Sequence, residues 1–215
     1  PIGTSTNLSA GDTFQGTFDG QGFTITGLNV EHQDVAGLFG YVYGATIKNV
    51  TIEGANIYSN HYAGGVVAWV LNNKGNIKVP FVMENCHVKN AEVTVTPLNK
   101  DDGNQAGAIV GYLSGESEAY VKGCSVTDAV ITAYRDVAGI AGTANQTAVI
   151  TGNRLVNVTV IADHTVEYTA KKAVNAGIVA GRVNTKATIT ENEVDEATSV
   201  TVKVNTAESL QRALD

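Results

Sequence analysis

The sequence is poor in proline and in charged residues, and it has no long apolar run. Of its 215 residues, 3 are Pro and 16% are charged, where about 25% is usual. Disordered chains carry more charge and fewer apolar residues than the 43% found here. A membrane-spanning helix needs about 20 consecutive apolar residues, and no stretch approaches that length. The composition therefore excludes a disordered tail and argues against membrane insertion.

Basic residues and cysteines are also scarce. Lys and Arg number 14 against 21 Asp and Glu, and the net charge of −7 without any basic run argues against nucleic acid as a partner. The two cysteines, Cys86 and Cys124, are too few for a disulfide framework and match no zinc spacing. The chain begins at Pro1 without Met, so we expect a mature fragment with neighbouring domains in a longer chain.

Glycine is abundant, with 23 residues, yet it does not recur at every third position as in collagen. It belongs instead to a segment of small and aliphatic residues that is repeated along the chain. The five copies are AGLFGYV (Ala36 to Val42), GGVVAWV (Gly64 to Val70), GAIVGYL (Gly107 to Leu113), AGIAGTA (Ala138 to Ala144) and GIVAGRV (Gly177 to Val183). This recurrence indicates a repeat architecture.

A second block follows each copy, with apolar or small residues at relative positions 0, 5 and 8, usually at 10 and more variably at 3. The blocks begin at Ile47, Met83, Val121, Ile150 and Ile189, and the last is aligned with Ala197 at position 8 and Ser199 at position 10. Steps of two residues are typical of a strand, and the steps of three between them require bends. The bends carry residues that mostly tolerate left-handed backbone: Asn49, Asn85, Gly123, Gly152 and Glu191, then Gly54, Asn90, Asp128 and Asn157.

Each unit is thus interpreted as three short strands separated by corners. Such units bury their inward face only by coiling, with successive rungs about 4.8 Å apart, so we predict an all-β parallel β-helix over residues 1–204. Phe14 to Val30 adds a divergent rung, which makes about six, and extra length falls in loops at Leu71 to Pro80, Pro97 to Gln105 and Asp163 to Asn175. Residues 205–215 have an N-cap and helical spacing, and they form either a capping helix or the start of a following domain.

The phrase FQGTFDGQGFTITGLNV, followed by AGLFGYV and the repeated G-x-[LIV]-[FV]-G-Y core, resembles the GLUG-motif repeats of bacterial surface and secreted proteins. The resemblance covers Phe14 to Ser199 and weakens where Thr143 and Arg182 replace the aromatic residue. It implies a right-handed, pectin-lyase-like β-helix in an extracellular or cell-surface setting. It assigns no activity and no catalytic residue.

Glycan-cleaving β-helices need carboxylates, or a carboxylate with Lys or Arg, gathered on one outward face. The repeat alignment puts no two carboxylates on adjacent rungs, and Lys48, Glu84 and Lys122 form an alternating charge ladder instead. The histidines are scattered and Asp101 to Asn104 lacks the spacing of a calcium loop, so we expect no metal and no cofactor. Cys86 and Cys124 share position 3 on consecutive rungs, where buried free thiols are favoured over a disulfide.

The glycine-containing segment has one face that should be polar and is not. Two rows are predicted to point outward on it: Phe39 with its counterparts, and the aromatic ladder Tyr41, Trp69 and Tyr112. An exposed aromatic ladder is able to stack on sugar rings or to dock a protein. Alternatively, the Leu71 to Pro80 insertion or a neighbouring domain covers it.

These observations predict a non-enzymatic adhesive or spacer module, with Tyr41, Trp69, Tyr112 and Phe39 as its candidate contact residues for a glycan or a protein. The alternative is a polysaccharide lyase or hydrolase whose catalytic residues lie on loops or in flanking sequence.

Overall fold

A computed structural model describes residues 1–6, 12–71, 79–98, 104–114, 118–145, 147–165, 174–184 and 186–204. Within these ranges the chain is all-β and contains no helix. The strands pair in parallel and assemble into four sheets, as a β-helix or related solenoid requires. The helix predicted for residues 205–215 lies outside the described ranges and stays a prediction.

The chain passes through the sheets in a repeating order. The first pass comprises β1 (Thr17–Asp19), β2 (Thr24–Thr26), β3 (Asn29–His32), β4 (Val35–Ala36) and β5 (Phe39–Tyr43). The second comprises β6 (Thr46–Lys48), β7 (Thr51–Glu53), β8 (Asn56–Ser59), β9 (Tyr62–Gly64) and β10 (Val67–Leu71). The third comprises β11 (Phe81–Glu84), β12 (His87–Val95), β13 (Gln105–Gly107) and β14 (Val110–Leu113).

The later passes follow the third. They comprise β15 (Ala119–Lys122), β16 (Ser125–Ala133), β17 (Asp136–Ala138) and β18 (Ala141–Ala144), then β19 (Ala148–Thr151), β20 (Arg154–His164), β21 (Asn175–Gly177) and β22 (Ala180–Val183). The last described strands are β23 (Thr188–Thr190), β24 (Glu193–Val194) and β25 (Ser199–Val204). Each strand lies beside its counterpart in the neighbouring pass, so that β1, β6, β11, β15, β19 and β23 form one sheet.

The number of strands in a pass differs from the three that the sequence predicts. The first two passes contain five strands, because the glycine-containing segment and the residues before it form two strands of their own. Gly37 and Gly65 lie between those two strands. In β12, β16 and β20 the second and third strands of the repeat block have merged into one longer strand.

The register of the repeat block is confirmed. Its first positions lie side by side, since Met83 pairs with Ile47 and with Val121, and Ile150 pairs with Val121 and with Ile189. The inward rows fill one continuous core, in which Ile47, Ile52 and Ile57 are completely buried. The alternation of apolar and polar residues therefore separates the interior of the solenoid from its outer faces.

The predicted corners are also confirmed. Every non-glycine corner residue singled out above has a positive φ, between 49° and 56°, in the left-handed region. These residues are Asn49, Asn85, Asn90, Asp128, Asn157 and Glu191. Their side chains also bond along the stack, since Asn85 Nδ2 donates to Asn49 Oδ1 at 2.9 Å and Asn157 Nδ2 donates to Asp128 Oδ1 at 2.6 Å.

The alignment of the last copy is wrong by one residue. Ser199 pairs with Thr159 and Val200 pairs with Val160, so the chain between Val194 and Ser199 contains an extra residue. The cause is a local turn, in which Asp195 Oδ1 accepts hydrogen bonds from the backbone N–H and the hydroxyl of Thr198 at 3.0 and 2.6 Å. Thr198 therefore lies at relative position 8 of the block, the position predicted for Ala197.

Cys86 and Cys124 occupy equivalent positions in consecutive passes, as predicted, each just before the strand that follows the corner, and both are buried free thiols. The hydrogen bond between them and their burial raise the pKa of Cys86 well above its ordinary value, so this thiol is protonated and unreactive. Asn153 follows in the same row, where Asn153 Oδ1 accepts from the Cys124 N–H at 2.8 Å. Asn153 Nδ2 donates to Asn192 Oδ1 at 2.9 Å. The row thus changes from thiols to a buried amide ladder.

Glu191 is a corner residue that is neither Asn, Asp nor Gly, and it offers a test of the corner geometry. A left-handed backbone costs an ordinary residue about 1–2 kcal/mol, whereas glycine adopts it freely but loses more entropy on folding. We expect Glu191→Gly to raise the free energy of unfolding by about 0.5–1 kcal/mol, measured by urea denaturation. The control Glu193→Gly, within β24, should instead destabilise the protein.

Candidate functional site

Phe39 does not belong to the outward face, and this prediction is wrong. Its side chain is completely buried, with its ring centroid 4.7 Å from that of Phe14 and 5.3 Å from that of Phe18. Strict alternation would put Phe39 and Tyr41 on one face, but the core instead contains Phe39 and Val42. The alternation breaks at Gly40, where an added Cβ would stand 2.9 Å from Val35 Cγ2, so no side chain fits there.

The aromatic ladder is present in register. Trp69 pairs with Tyr41 on one neighbouring strand and with Tyr112 on the other. The ring centroids of Tyr41 and Trp69 are 5.4 Å apart, and those of Trp69 and Tyr112 are also 5.4 Å apart. Tyr41 is 7% exposed, whereas Trp69 and Tyr112 are partly exposed. The accessible part of the ladder is therefore centred on Trp69 and Tyr112.

A fourth ring, Tyr62, joins this ladder and was missed in the sequence. Tyr62 stacks on Tyr112 with an interplanar angle of 9° and a centroid distance of 5.6 Å, and its centroid lies 4.3 Å from that of Trp69. It reaches them from β9, the strand before β10, which belongs to a different sheet. We call Tyr41, Tyr62, Trp69 and Tyr112 the aromatic cluster.

Three rings of the aromatic cluster, Tyr41, Tyr62 and Trp69, belong to a second apolar cluster that is separate from the interior core. Val35, Tyr43 and Leu71 pack with it. Burial and the neighbouring charge of Asp34 raise the pKa of Tyr41 above its ordinary value. Val79 also packs against this cluster, but residues 72–78 lie outside the described ranges, so the predicted cover by the Leu71 to Pro80 insertion stays a prediction.

Polar side chains hold the rings in place. The indole Nε1 of Trp69 donates to Ser114 Oγ at 2.8 Å, and the Ser114 hydroxyl donates to the backbone oxygen of Val70 at 2.8 Å. Asn145 Nδ2 donates to the Tyr112 hydroxyl oxygen at 3.3 Å. These bonds restrict the rotamers of Trp69 and Tyr112, which lowers the entropy that a bound ligand would have to remove.

The same outer corner becomes polar further along the solenoid. There Asp136, which is completely buried, occupies the register position of Tyr62 two strands away, with Gln105 between them. Asp136 Oδ2 accepts from Gln105 Nε2 and from the Thr143 hydroxyl, each at 3.1 Å. Asp136 Oδ1 accepts from Asn175 Nδ2 at 2.6 Å. All three bonds come from side chains of this chain, so the carboxylate joins β17 to three other strands, β13, β18 and β21.

Besides the aromatic cluster and the Asp136 network, the outer face of the nine-stranded sheet carries a hydrogen-bonded serine and histidine. Ser125 Oγ lies 2.7 Å from His87 Nδ1, and His87 Nε2 lies 2.9 Å from Asn85 Oδ1. Sequence comparison of the outward rows missed this group because Asn85 lies at a corner position and His87 and Ser125 lie in a strand row. A histidine two residues after a corner asparagine, with serine in register beside it, is the signal that could have found it.

No group of three or more His, Cys, Asp or Glu residues suited to a metal is found within the described ranges. The charge ladder of Lys48, Glu84 and Lys122 is in register as predicted, and Lys48 Nζ also lies 3.3 Å from Asp19 Oδ2. No helix long and apolar enough for a membrane span occurs in the part of the chain that the structure describes.

Comparison with known proteins supports the fold. No protein-family model and no curated protein matches the sequence. Among solved structures, the chain is similar to a candidate immunoglobulin A1 protease from Bacteroides ovatus, with a TM-score of 0.66 and 20% sequence identity. The match covers 94% of this chain and 55% of that protein, so this chain spans about half of its length.

Proposed function

We propose that this chain is a binding and spacer module of a bacterial surface or secreted protein, built as a right-handed parallel β-helix of about six rungs. The six-stranded parallel sheet supports the rung number, and parallel strands joined by crossovers are right-handed in nearly all proteins. The GLUG-like repeats support the extracellular setting. A longer parent protein with neighbouring domains is part of the proposal.

The observation that carries a binding role is the aromatic cluster. Four aromatic rings gather on the outer side of the sheets, three of them in register along the solenoid axis, although the interior is already filled by its own residues. Aromatic faces and edges held by hydrogen bonds are suited to the apolar faces of sugar rings. Successive strands are about 4.8 Å apart, so a glycan running along the axis would meet a new side chain on each strand.

Trp69 makes this proposal directly measurable, because it is the single tryptophan of the chain. A glycan array would first identify ligands, and titration of the best ligand should then change the intrinsic fluorescence of Trp69. Truncating a central contact residue costs about 2 kcal/mol, so Trp69→Ala and Tyr112→Ala should each raise the Kd about 30-fold. Because Trp69→Ala has no tryptophan, the Kd of every variant is measured by isothermal titration calorimetry. Tyr120→Ala, which removes an aromatic ring from a different sheet, is the matched control and should leave the Kd unchanged.

Two results would contradict the proposal. Binding that survives Trp69→Ala, with the variant shown to be folded by circular dichroism, would remove the aromatic cluster as the contact surface. Cleavage of any polysaccharide in a parallel degradation assay would favour the alternative, a glycan-active enzyme whose catalytic residues lie on loops or in flanking sequence.

A further inference from the structure

The hydrogen bonds that begin at Ser125 continue through the three preceding passes and end on a carboxylate. Asn85 Nδ2 donates to Asn49 Oδ1 at 2.9 Å, and Asn49 Nδ2 donates to Asp19 Oδ1 at 3.0 Å. With Ser125, His87 and Asn85, this gives one unbroken chain of side-chain hydrogen bonds. The five residues come from the first four passes through the sheets.

Donors and acceptors in this series of hydrogen bonds can be assigned in only one consistent direction. Asp19 is an acceptor, and the bond from Asn49 is the largest of the effects that lower its pKa, so the amide groups of Asn49 and Asn85 are oriented with their nitrogen atoms toward Asp19. Asn85 therefore presents its oxygen to His87, whose Nε2 must carry the proton. The other ring nitrogen, Nδ1, is then free to accept the hydroxyl proton of Ser125.

This order is a serine, a base and a group that orients the base, which is the arrangement that activates a nucleophile. Ser125 and His87 are both partly exposed on the outer face, since Val88 and Val126 point into the core. Burial and the positive charge of Lys89 lower the pKa of His87, which favours the neutral imidazole, the form that is able to accept a proton.

The charged neighbours favour the same chemistry. Arg154 pairs with Ser125 on the next strand, and its Nε lies 3.7 Å from Glu193 Oε2 at an exposed position. Thr51 precedes His87 in the row, and Lys89 and Thr127 lie beside it on the same face. A cation next to the serine is able to stabilise negative charge on a carbonyl oxygen.

We propose that Ser125 is a nucleophile that accepts acyl groups from small esters, with His87 as its general base and Asn85 as a positioning residue. This activity lies on a different sheet from the aromatic cluster and is independent of glycan binding.

The reaction balances without any co-reactant except water. Ser125 Oγ forms a bond to the ester carbonyl carbon while its proton passes to His87 Nδ1, and the carbonyl oxygen takes up negative charge on the side of Arg154. The bond to the alcohol then breaks, and the departing alkoxide takes the proton from His87. Water adds to the acyl group in the same way, so that a carboxylic acid is released and Ser125 regains its proton.

The test is acylation by p-nitrophenyl acetate, followed by release of p-nitrophenolate and by peptide mass spectrometry. The acetyl group should be found on the peptide that contains Ser125, and Ser125→Ala should abolish the fast phase. General-base catalysis contributes on the order of 100-fold or more, so His87→Gln should slow acylation by about that factor. Thr127→Ala, on the same strand and face, is the matched control and should react like the native protein.

Asn85 is tested by Asn85→Gly, which keeps the left-handed corner and removes only the side chain. Without the Asn85 oxygen as an acceptor for its Nε2 proton, the imidazolium of His87 is less stable, so the pKa of His87 should fall. The midpoint of the pH–rate profile should therefore move to lower pH, and the plateau rate should fall because the ring is no longer oriented. Native protein that reacts no faster than Ser125→Ala, or an acetyl group found on another residue, would overturn the proposal.

Discussion

Phe39→Ala is expected to lower the free energy of unfolding by about 3–5 kcal/mol, the usual cost of removing a buried phenylalanine ring. Phe39 is completely buried between the rings of Phe14 and Phe18 and the inward rows of the following strands. A cavity at this site would not collapse easily, because the surrounding backbone is held by the parallel sheets. Urea denaturation followed by circular dichroism measures the change.

Phe23 provides the control for Phe39, because it is the same residue type and is 73% exposed. Phe23→Ala should change stability by no more than about 0.5 kcal/mol. The two substitutions also separate the two interpretations of Phe39. If Phe39→Ala left stability intact but reduced glycan binding, Phe39 would be an outward contact residue and the core position described above would be wrong.

Local residue chemistry is enough to predict the corners and the inward rows. Asn90, Asp128 and Gly54 stand out because only such residues enter the left-handed region at low cost, and each corner involves just a few neighbouring residues. Two-residue alternation then determines which side chains are inward, provided that the strand is regular. Both signals repeat in successive copies, so an error in one copy is visible against the others.

The prediction fails where strict alternation does not hold along a row, or where partners come from another sheet. Phe39 is buried in the core, and its register partners Val67 and Val110 are buried with it, so alternation breaks along the whole row. Tyr62 was missed because its partners Trp69 and Tyr112 lie on a different sheet, and the angle between two sheets is a tertiary property. The shift at Ser199 depends on the turn around Asp195, which has no equivalent in the other copies.

The hydrogen-bonded chain from Ser125 to Asp19 shows a further limit of sequence comparison. Thr51, His87 and Ser125 share one row of the repeat alignment, and that row alone contains no catalytic pattern. The chemistry arises between a strand row and a corner row, at Asn85 and His87, and it depends on the choice of rotamers. Candidate sites on a solenoid are therefore better sought between adjacent rows than within one.

Asp136→Ala is expected to destabilise the protein by about 3–5 kcal/mol, the cost of removing one partner from a buried charged network. Gln105, Thr143 and Asn175 all donate to this carboxylate, and Gln105 and Thr143 are themselves buried. Without the acceptor, each buried donor loses its bond and gains no water. Glu92→Ala, which removes an exposed carboxylate from β12, should change stability by less than about 0.5 kcal/mol.

A double-mutant cycle distinguishes this network from simple loss of packing. Thr143→Val removes one donor and keeps the shape of the side chain, so part of the cost of Asp136→Ala should already be absent in the Thr143→Val background. We expect the double variant to be more stable than the sum of the single changes predicts, by about 0.5–3 kcal/mol. Additive effects would mean that the carboxylate and the hydroxyl do not interact. In that case the side-chain contribution of Asp136 would come from its bonds with Gln105 and Asn175.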